Sequence, residues 1–411
     1  MKPRLAKPRL ALSIVCTGLF VLASCSSDKA ADTTAAPAET TAAIAAETTA
    51  APAAETTAAP AAETTAAPSA ETTAAPAAAG GVADAAARCA ANKAVGKLTY
   101  SSSFDFAAAA SIIDVVVAKE KGYFADLCLD VDIKPGFSTG NYPLVASGAV
   151  QFSSAGSYTE LVNFSKDGAA FTAFIDYGKT PIEALVAKDP ALASLADLKG
   201  KTIGVKGDIP PSIVAMLDKA GLKRGTDYKE VLLDGFDPKV HIGLVDAFPV
   251  YKSNEPGQLD AAGVKYKLFD PTAQDIPGSF GLLYTSAEFA KKNPTVVEDF
   301  ARASLHGMED AVADPAAAVK ISVDQINAAG NQAFLTEAGE TFRWTQELAE
   351  VVKGLGGQPI GTVIPAVLEA ETAVYTAAGI LKVPDPKSYD ATIVAKLYGA
   401  DGKVIFSKFA A

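Results

Sequence analysis

From residue 97 onward, short segments of strand character alternate with longer segments of helical character. Four segments have the length and the alternation of apolar and polar side chains that indicate β-strands. They span residues 97–102, 129–134, 150–154 and 170–177. Predicted helices lie between them, at residues 107–121, 142–147 and 158–167. Strands that alternate with helices predict a largely parallel sheet with helices on its faces.

A second series of the same kind follows in the chain. Its predicted strands are residues 182–188, 201–205, 230–233 and 244–250, with a helix at 211–220. Residues 282–285 have the character of a strand that returns to the first series, and the pattern after Ala287 is helical to near Leu381. Two series with a return crossing predict an α/β protein of two lobes separated by a cleft. The predicted boundaries are residues 93–180 and 284–411 for lobe 1, and residues 181–283 for lobe 2.

The N-terminal segment has the pattern of an export signal. Four basic residues precede an apolar run of 14 residues, 10–23. That run has the length of a signal-peptide core and is short for a membrane span. It ends in Leu22-Ala23-Ser24-Cys25, which resembles the bacterial lipobox. We therefore expect a signal peptide at residues 1–24 and a lipid on Cys25; an ordinary signal peptide with an incidental cysteine is the alternative.

The segment after Cys25 is of low complexity. Copies of Glu-Thr-Thr-Ala-Ala-Pro-Ala-Ala start every eight residues, at Glu39, Glu47, Glu55, Glu63 and Glu71. Apart from Ile44 in the first copy, the repeat contains no large apolar residue to bury in a core, and the prolines of the other copies block a long helix. We predict a disordered tether of Thr, Ala, Pro and Glu over residues 25–92.

Charge and rare residues narrow the function. The 411 residues carry a formal net charge of −11, which argues against nucleic-acid binding. Two histidines, His241 and His306, and four cysteines do not suffice for a His-rich or Cys₄ metal site, so neither a metal nor a cofactor is expected. Outside the cell, Cys89 and Cys128 are expected to form a disulfide. Two buried free thiols are the alternative.

Several loops follow the carboxyl ends of predicted strands, where ligands bind in open α/β sheets. The candidates from the first series are hydroxyl-bearing and aromatic side chains. They are Phe104, Phe106, Ser138, Thr139, Ser154, Tyr158 and, at the crossing between the lobes, Tyr177. Simpler explanations remain open, because a phenylalanine can belong to the core and a serine or threonine can cap a helix.

Three stretches carry a resemblance to a known family. Residues 119–124 (KEKGYF) with 129–133 (LDVDI), and residues 197–205 (DLKGKTIGV), resemble the openings of the two lobes in substrate-binding proteins of ABC importers for nitrate, sulfonates and thiamine pyrimidine precursors. Residues 245–247 (VDA), 254–256 (NEP) and Gly263 resemble a stretch of the thiamine-precursor branch that some riboflavin binders share. The loop at residues 102–106 departs from the usual family sequence.

The resemblance implies a two-lobe fold of the type II periplasmic-binding-protein kind. It also implies a monomeric extracytoplasmic protein that captures a small molecule and delivers it to a membrane permease. Within the matched stretch, Tyr251, Asn254 and Glu255 are the sharpest candidates for ligand contact. Glu255 suits an aminopyrimidine, because a carboxylate accepts two hydrogen bonds; a helix cap or a hinge salt bridge is the alternative role.

Other functions fit the sequence less well. The loops offer Lys206 alone as a cation, which disfavours nitrate or a sulfonate and favours a neutral or cationic heterocycle. Riboflavin is the second candidate ligand. The chain has no Gly-x-Ser-x-Gly, Walker, Gly-x-Gly-x-x-Gly or His-Glu-x-x-His motif, so an enzyme resembling the fungal pyrimidine synthases of this fold is a remote alternative.

Overall fold

The computed structural model describes residues 82–165, 169–330 and 335–409. The predicted signal peptide, Cys25 and the repeats of the tether lie outside these residues. Among the described residues, no helix combines the length and the apolar character needed to cross a bilayer.

The first half of the fold is built on a mixed five-stranded sheet. Its elements up to the first crossing are α1 (Ala85–Val95), β1 (Lys97–Ser101), α2 (Ile113–Glu120), α3 (Tyr123–Asp126), β2 (Asp130–Lys134), α4 (Ser138–Ala146), β3 (Phe152–Ala155), α5 (Tyr158–Phe164) and β4 (Phe171–Gly178). A second sheet follows. Its elements are β5 (Glu183–Ala187), β6 (Thr202–Val205), α6 (Pro211–Lys219), β7 (Lys229–Leu232), α7 (Pro238–Leu244), β8 (Ala247–Tyr251), α8 (Glu255–Ala261) and β9 (Lys267–Phe269).

The chain then returns to the first sheet and ends in helices. The elements are β10 (Phe280–Ser286), α9 (Ala287–Lys292), α10 (Pro294–Ala313), α11 (Pro315–Ala329), α12 (Glu337–Val351) and α13 (Pro365–Ala377). Short 3₁₀ turns occur at Leu195–Leu198, Pro271–Gln274 and Val394–Lys396.

The strand order explains the two lobes. The first sheet has the order β2-β1-β3-β10-β4, in which β10 runs antiparallel to both neighbours. The second has the order β7-β6-β8-β5-β9, in which β5 runs antiparallel to both neighbours. Each sheet with its helices is one lobe, and the prediction of a two-lobe α/β fold is confirmed. We call them the first and the second lobe.

The N-terminal helix corrects the predicted tether. The tether was expected to reach residue 92, but α1 begins at Ala85. Arg88 forms an ion pair with the buried carboxylate of Asp299, and Asn92 donates hydrogen bonds to the same carboxylate and to Leu127 O. The sulfur atoms of Cys89 and Cys128 are bonded to each other at 2.07 Å. Residues 85–95 have little apolar surface of their own. Their contacts with the first lobe stabilise them as a helix.

Several predicted elements have different bounds; the helix expected at 142–147, for example, begins at Ser138. The helix expected at 107–121 spans only Ile113–Glu120, because Ser111 has a left-handed backbone with φ of 71°, and the backbone N–H groups of Ala108 and Ala110 donate to carboxylates of α12. The strand expected at 244–250 starts at Ala247, and the short helix α7 precedes it.

Candidate functional site

The second lobe contains a cavity of about 230 Å³ at the edge of its sheet. Strands β6 and β8 are parallel, so their carboxyl ends meet at this edge. Strand β5 runs the other way, and its first residue, Glu183, pairs with the last residue of β8, Tyr251. The cavity lining comes from these three strands, from Lys206, Asp208 and Pro210 after β6, from Leu233 after β7 and from Glu255 at the start of α8. This is the place where open α/β sheets bind ligands.

Glu255 is buried and held from two sides. It is the first residue of α8, and Pro256 fits the first turn because its missing N–H is not needed there. One carboxylate oxygen, Oε2, accepts a hydrogen bond from Tyr251 N at 2.9 Å, which closes a tight turn before the helix. The other oxygen, Oε1, lies 3.2 Å from Lys206 Nζ. The single lysine of the cavity lining is therefore paired with a carboxylate.

Tyr251 presents its ring to the cleft between the lobes. The residue is 45% exposed, although the other residues of its strand, β8, are mostly buried. Loss of water around the hydroxyl group, together with the negative charges of Glu183, Glu160 and Glu255, raises the pKa of Tyr251 above its usual value. The phenol therefore stays neutral and offers both a flat face and a hydroxyl group to a ligand.

The first lobe brings another carboxylate to the same place. Glu160, on α5, accepts a hydrogen bond from Gly156 N through Oε2 at 3.1 Å. A methyl group placed on Gly156 would lie 2.6 Å from this oxygen and 3.9 Å from the hydroxyl oxygen of Tyr251. Gly156, Glu160 and Tyr251 thus meet where the lobes face each other. Burial raises the pKa of Glu160, against opposing hydrogen bonds from Ser138 and Gly156.

Glu183 is a third glutamate near Tyr251. Its Oε2 accepts a hydrogen bond from Ser212 Oγ at 3.1 Å, and burial raises its pKa. Sequence reasoning missed both Glu160 and Glu183. The signal for Glu160 was its position two residues after Tyr158, at the start of the helix predicted after a cleft loop. Glu183 gave no local signal, because only its pairing with Tyr251 across the sheet brings it to the cavity.

Arg343, on α12, connects two other predicted site residues. Its guanidinium carbon lies 5.5 Å from the centre of the Phe104 ring, and its Nη2 donates to Asn254 Oδ1 at 3.0 Å. Phe104 also makes an edge contact with Phe137. Phe104 in the first lobe and Asn254 in the second are therefore linked through one buried arginine. Thr139 lies exposed at the start of α4.

The remaining candidates lie inside the first lobe and not at the cavity. Phe106 packs in a small core cluster, and Ser154 accepts hydrogen bonds from Ser103 N and from the Tyr100 hydroxyl group. The hydroxyl group of Tyr158 donates to Asp385 at 2.8 Å. Tyr177, the candidate at the crossing between the lobes, is fully buried and its side chain does not reach the cleft.

Residues 109–318 match the model of the family described as "NMT1/THI5 like". Two curated relatives are similar in sequence. The riboflavin-binding protein RibY of Chloroflexus aurantiacus is 30% identical over 220 residues, which are 51% of this chain and 61% of the relative. The formylaminopyrimidine-binding protein of Halalkalibacterium halodurans is 32% identical over 216 residues, 50% of this chain and 64% of the relative. The chain thus spans less than two thirds of the length of either relative.

Solved structures show the same fold. A protein from Bordetella bronchiseptica RB50 has a TM-score of 0.53 at 18% identity, with 73% of this chain and 96% of that chain covered. The alkanesulfonate-binding protein SsuA from Xanthomonas axonopodis pv. citri, bound to MOPS, has a TM-score of 0.50 at 17% identity, with 73% and 96% covered. At these identities the likeness concerns the fold alone, which is that of periplasmic binding proteins.

Proposed function

Because the chain belongs to the NMT1/THI5-like family, we propose that it is the solute-binding component of an ABC importer and that its ligand is an aminopyrimidine of the thiamine-precursor type. The protein would bind this ligand in the cleft and deliver it to a membrane permease. A ligand that contacts both lobes binds their closed arrangement better and shifts the population toward it.

The observation that carries the proposal is the exposed ring of Tyr251 among three carboxylates. Glu183 and Glu255 line the cavity beside it, and Glu160 faces it from the first lobe. An aminopyrimidine has a flat ring that stacks on a tyrosine and N–H groups that donate to carboxylates. Nitrate or a sulfonate would meet repulsion here, since Lys206 is already paired with Glu255.

The size of the cavity supports a ligand with one ring. Its volume of about 230 Å³ lies below the roughly 300–1,000 Å³ typical of pockets for drug-sized ligands. Riboflavin, with three fused rings and a ribityl chain, needs more space. It remains the second candidate, because one of the two relatives is named for it.

The sequence outside the described residues supports a location outside the cell membrane. A lipid on Cys25 and the repeats that follow would keep the binding domain near a permease and raise its effective concentration there. In this proposal the protein acts as a monomer, and no step of chemistry is required of it.

A thermal-shift screen of the mature chain tests the proposal. The panel contains formylaminopyrimidine, thiamine, riboflavin, nitrate, taurine and an alkanesulfonate. A ligand at 100 times its Kd stabilises the folded state by about 2.7 kcal/mol, which raises Tm by several degrees. We expect the largest shift with formylaminopyrimidine. A shift with a sulfonate alone would overturn the assignment of the ligand while keeping a role in solute binding.

A further inference from the structure

We propose that Glu347 is a positioning residue that couples the two lobes at the ligand site. The proposal concerns α12, whose side chains contact both lobes. The part of the proposal that concerns ligand binding rests on the function proposed above. The coupling itself can be measured without any ligand.

Helix α12 is anchored in the first lobe. Trp344 is fully buried there, and its indole N–H donates to Ala311 O at 3.0 Å. Glu340 accepts a hydrogen bond from Ala108 N at 2.7 Å. Because the tryptophan packs in the core of that lobe, the helix keeps its position when the lobes move relative to each other.

The same helix contacts the second lobe next to the ligand site. Arg343 binds Asn254, and Glu350 lies 3.3 Å from Lys252. A methyl group on Gly257 would lie 2.6 Å from the ring of Phe342, so α8 and α12 are in close contact. Residues 252–257 are thus held by side chains of α12 immediately beside Glu255.

Glu347 joins the two sets of contacts through one buried carboxyl group. Its Oε2 accepts a hydrogen bond from Ala110 N of the first lobe at 2.6 Å. Its Oε1 accepts one from Ser253 Oγ of the second lobe at 2.9 Å. Ala110 lies on the loop that contains Phe104, and Ser253 lies between Tyr251 and Glu255. A change in the angle between the lobes therefore has to break or rearrange one of these two bonds.

The contact explains how ligand binding would be transmitted. A ligand held by Tyr251 and Glu255 fixes the turn that contains Ser253, and Ser253 aligns Glu347 with the first lobe. Loss of the bond leaves this turn free to move and lowers affinity. Coupling between sites typically changes affinity about 5- to 150-fold, and we expect about tenfold.

Four variants test the proposal in the mature full-length chain. Ser253→Ala removes only the contact with the second lobe, and Glu347→Ala removes both contacts. Glu347→Gln is the conservative variant, because its amide oxygen can accept from Ala110 N and its amide N–H can donate to Ser253 Oγ. Glu337→Ala, exposed on the first turn of the same helix, is the matched control.

Hydrogen–deuterium exchange without ligand is the first measurement. We expect Ser253→Ala and Glu347→Ala to accelerate exchange in residues 251–262, with Glu347→Gln and Glu337→Ala close to wild type. Unchanged exchange in Ser253→Ala would overturn the proposal, as would a failure of Glu347→Gln to restore protection. If Glu347→Ala does not fold, the exchange rates of Ser253→Ala still test whether Glu347 couples the two lobes.

The second measurement is the affinity for formylaminopyrimidine by calorimetry. We expect about a tenfold higher Kd for Ser253→Ala and Glu347→Ala, within the usual range of coupling between sites. Normal affinity in both variants would overturn the coupling. If the wild type does not bind formylaminopyrimidine, the proposed ligand is wrong, while the exchange experiment still tests the role of Glu347.

Discussion

The hydroxyl group of Tyr177 donates a hydrogen bond to Asp114 Oδ2 at 2.7 Å, and neither side chain reaches solvent. The pair joins β4 to α2 inside the first lobe. Burial raises the pKa of Asp114 to about 7, although the bond from Tyr177 opposes the change. A carboxyl group that is hard to ionise in the folded protein makes stability depend on pH.

The sign of this dependence follows from linkage. In the unfolded chain Asp114 ionises near its ordinary pKa of about 4, so between about pH 4 and 7 the folded state holds more protons. The stability contributed by this group is therefore complete below pH 4 and is lost as the pH rises through 7. Burial also raises the pKa of Glu347 to about 7 and of Glu371 to about 8, which adds to the same trend.

Asp114→Asn should remove the contribution of Asp114 to the pH dependence of stability. A difference of about three pKa units between folded and unfolded chains corresponds to roughly 4 kcal/mol. We expect the variant to be more stable than wild type at pH 8, by up to this amount, and similar at pH 4. Chemical denaturation at both pH values measures this, with the exposed Asp130→Asn as control. Equal stability at pH 8 would contradict a raised pKa.

Glu255→Gln should weaken binding of formylaminopyrimidine without unfolding the protein. A hydrogen bond to a charged group contributes about 1.5–3 kcal/mol, so Kd should rise at least about tenfold. The glutamine retains an oxygen for Tyr251 N, which preserves the turn. Calorimetry gives Kd, and Glu230→Gln, on the edge strand β7 outside the cavity, is the matched control. An unchanged Kd would show that Glu255 has only a structural role.

Tyr251 offers a separate test of stacking. Tyr251→Phe keeps the ring and should bind formylaminopyrimidine within a few-fold of wild type. Tyr251→Ala should lose about tenfold in affinity, because stacking of a heterocycle on an aromatic side chain contributes about 1–3 kcal/mol. Because the side chain is half exposed, neither change should lower Tm by more than a few degrees. Equal losses in both variants would assign the contact to the hydroxyl group instead.

Two glycines in helices, Gly307 in the first lobe and Gly243 in the second, test how closely helices pack. A methyl group on Gly307 of α10 would lie 2.2 Å from Asp114 O, so Gly307→Ala must separate α10 from α2 and should destabilise by about 1–3 kcal/mol. Gly243 of α7 has no atom within 4 Å of that position. Gly243→Ala should leave stability unchanged or raise it by up to about 1 kcal/mol. Denaturation curves give the free energy of unfolding of both variants. Similar changes in this free energy would mean that α10 and α2 are not in tight contact.

The fold could be predicted from local pattern because most strands are short apolar segments that end in polar loops.

The start of helix α2 is a case in which local pattern failed, because residues 107–112 were predicted to be helical and lie outside the helix. These residues have helical composition, but Ala108 N and Ala110 N bind carboxylates that lie more than 230 residues later in the chain. No local pattern contains that information, so the start of α2 could not be predicted.

The site was predictable only in part, for a similar reason. Tyr251, Asn254 and Glu255 lie within five consecutive residues, so one stretch of sequence indicates all three. Tyr158 follows β3 and Tyr177 lies near the end of β4, but their hydroxyl groups bind distant aspartates and their rings fill the core. An aromatic residue after a strand does not by itself distinguish a ligand contact from a core contact. Glu183 reaches the cavity through the register of β5 against β8, which the sequence does not specify.

The link between Cys89 and Cys128 has a mechanical consequence. It attaches α1 covalently to the first lobe, and the ion pair of Arg88 adds a second attachment. A pulling force applied through the residues that precede α1 would therefore act on the first lobe before it reaches the second. The second lobe would receive the force through the two chain crossings and through its contacts with α12 and α13.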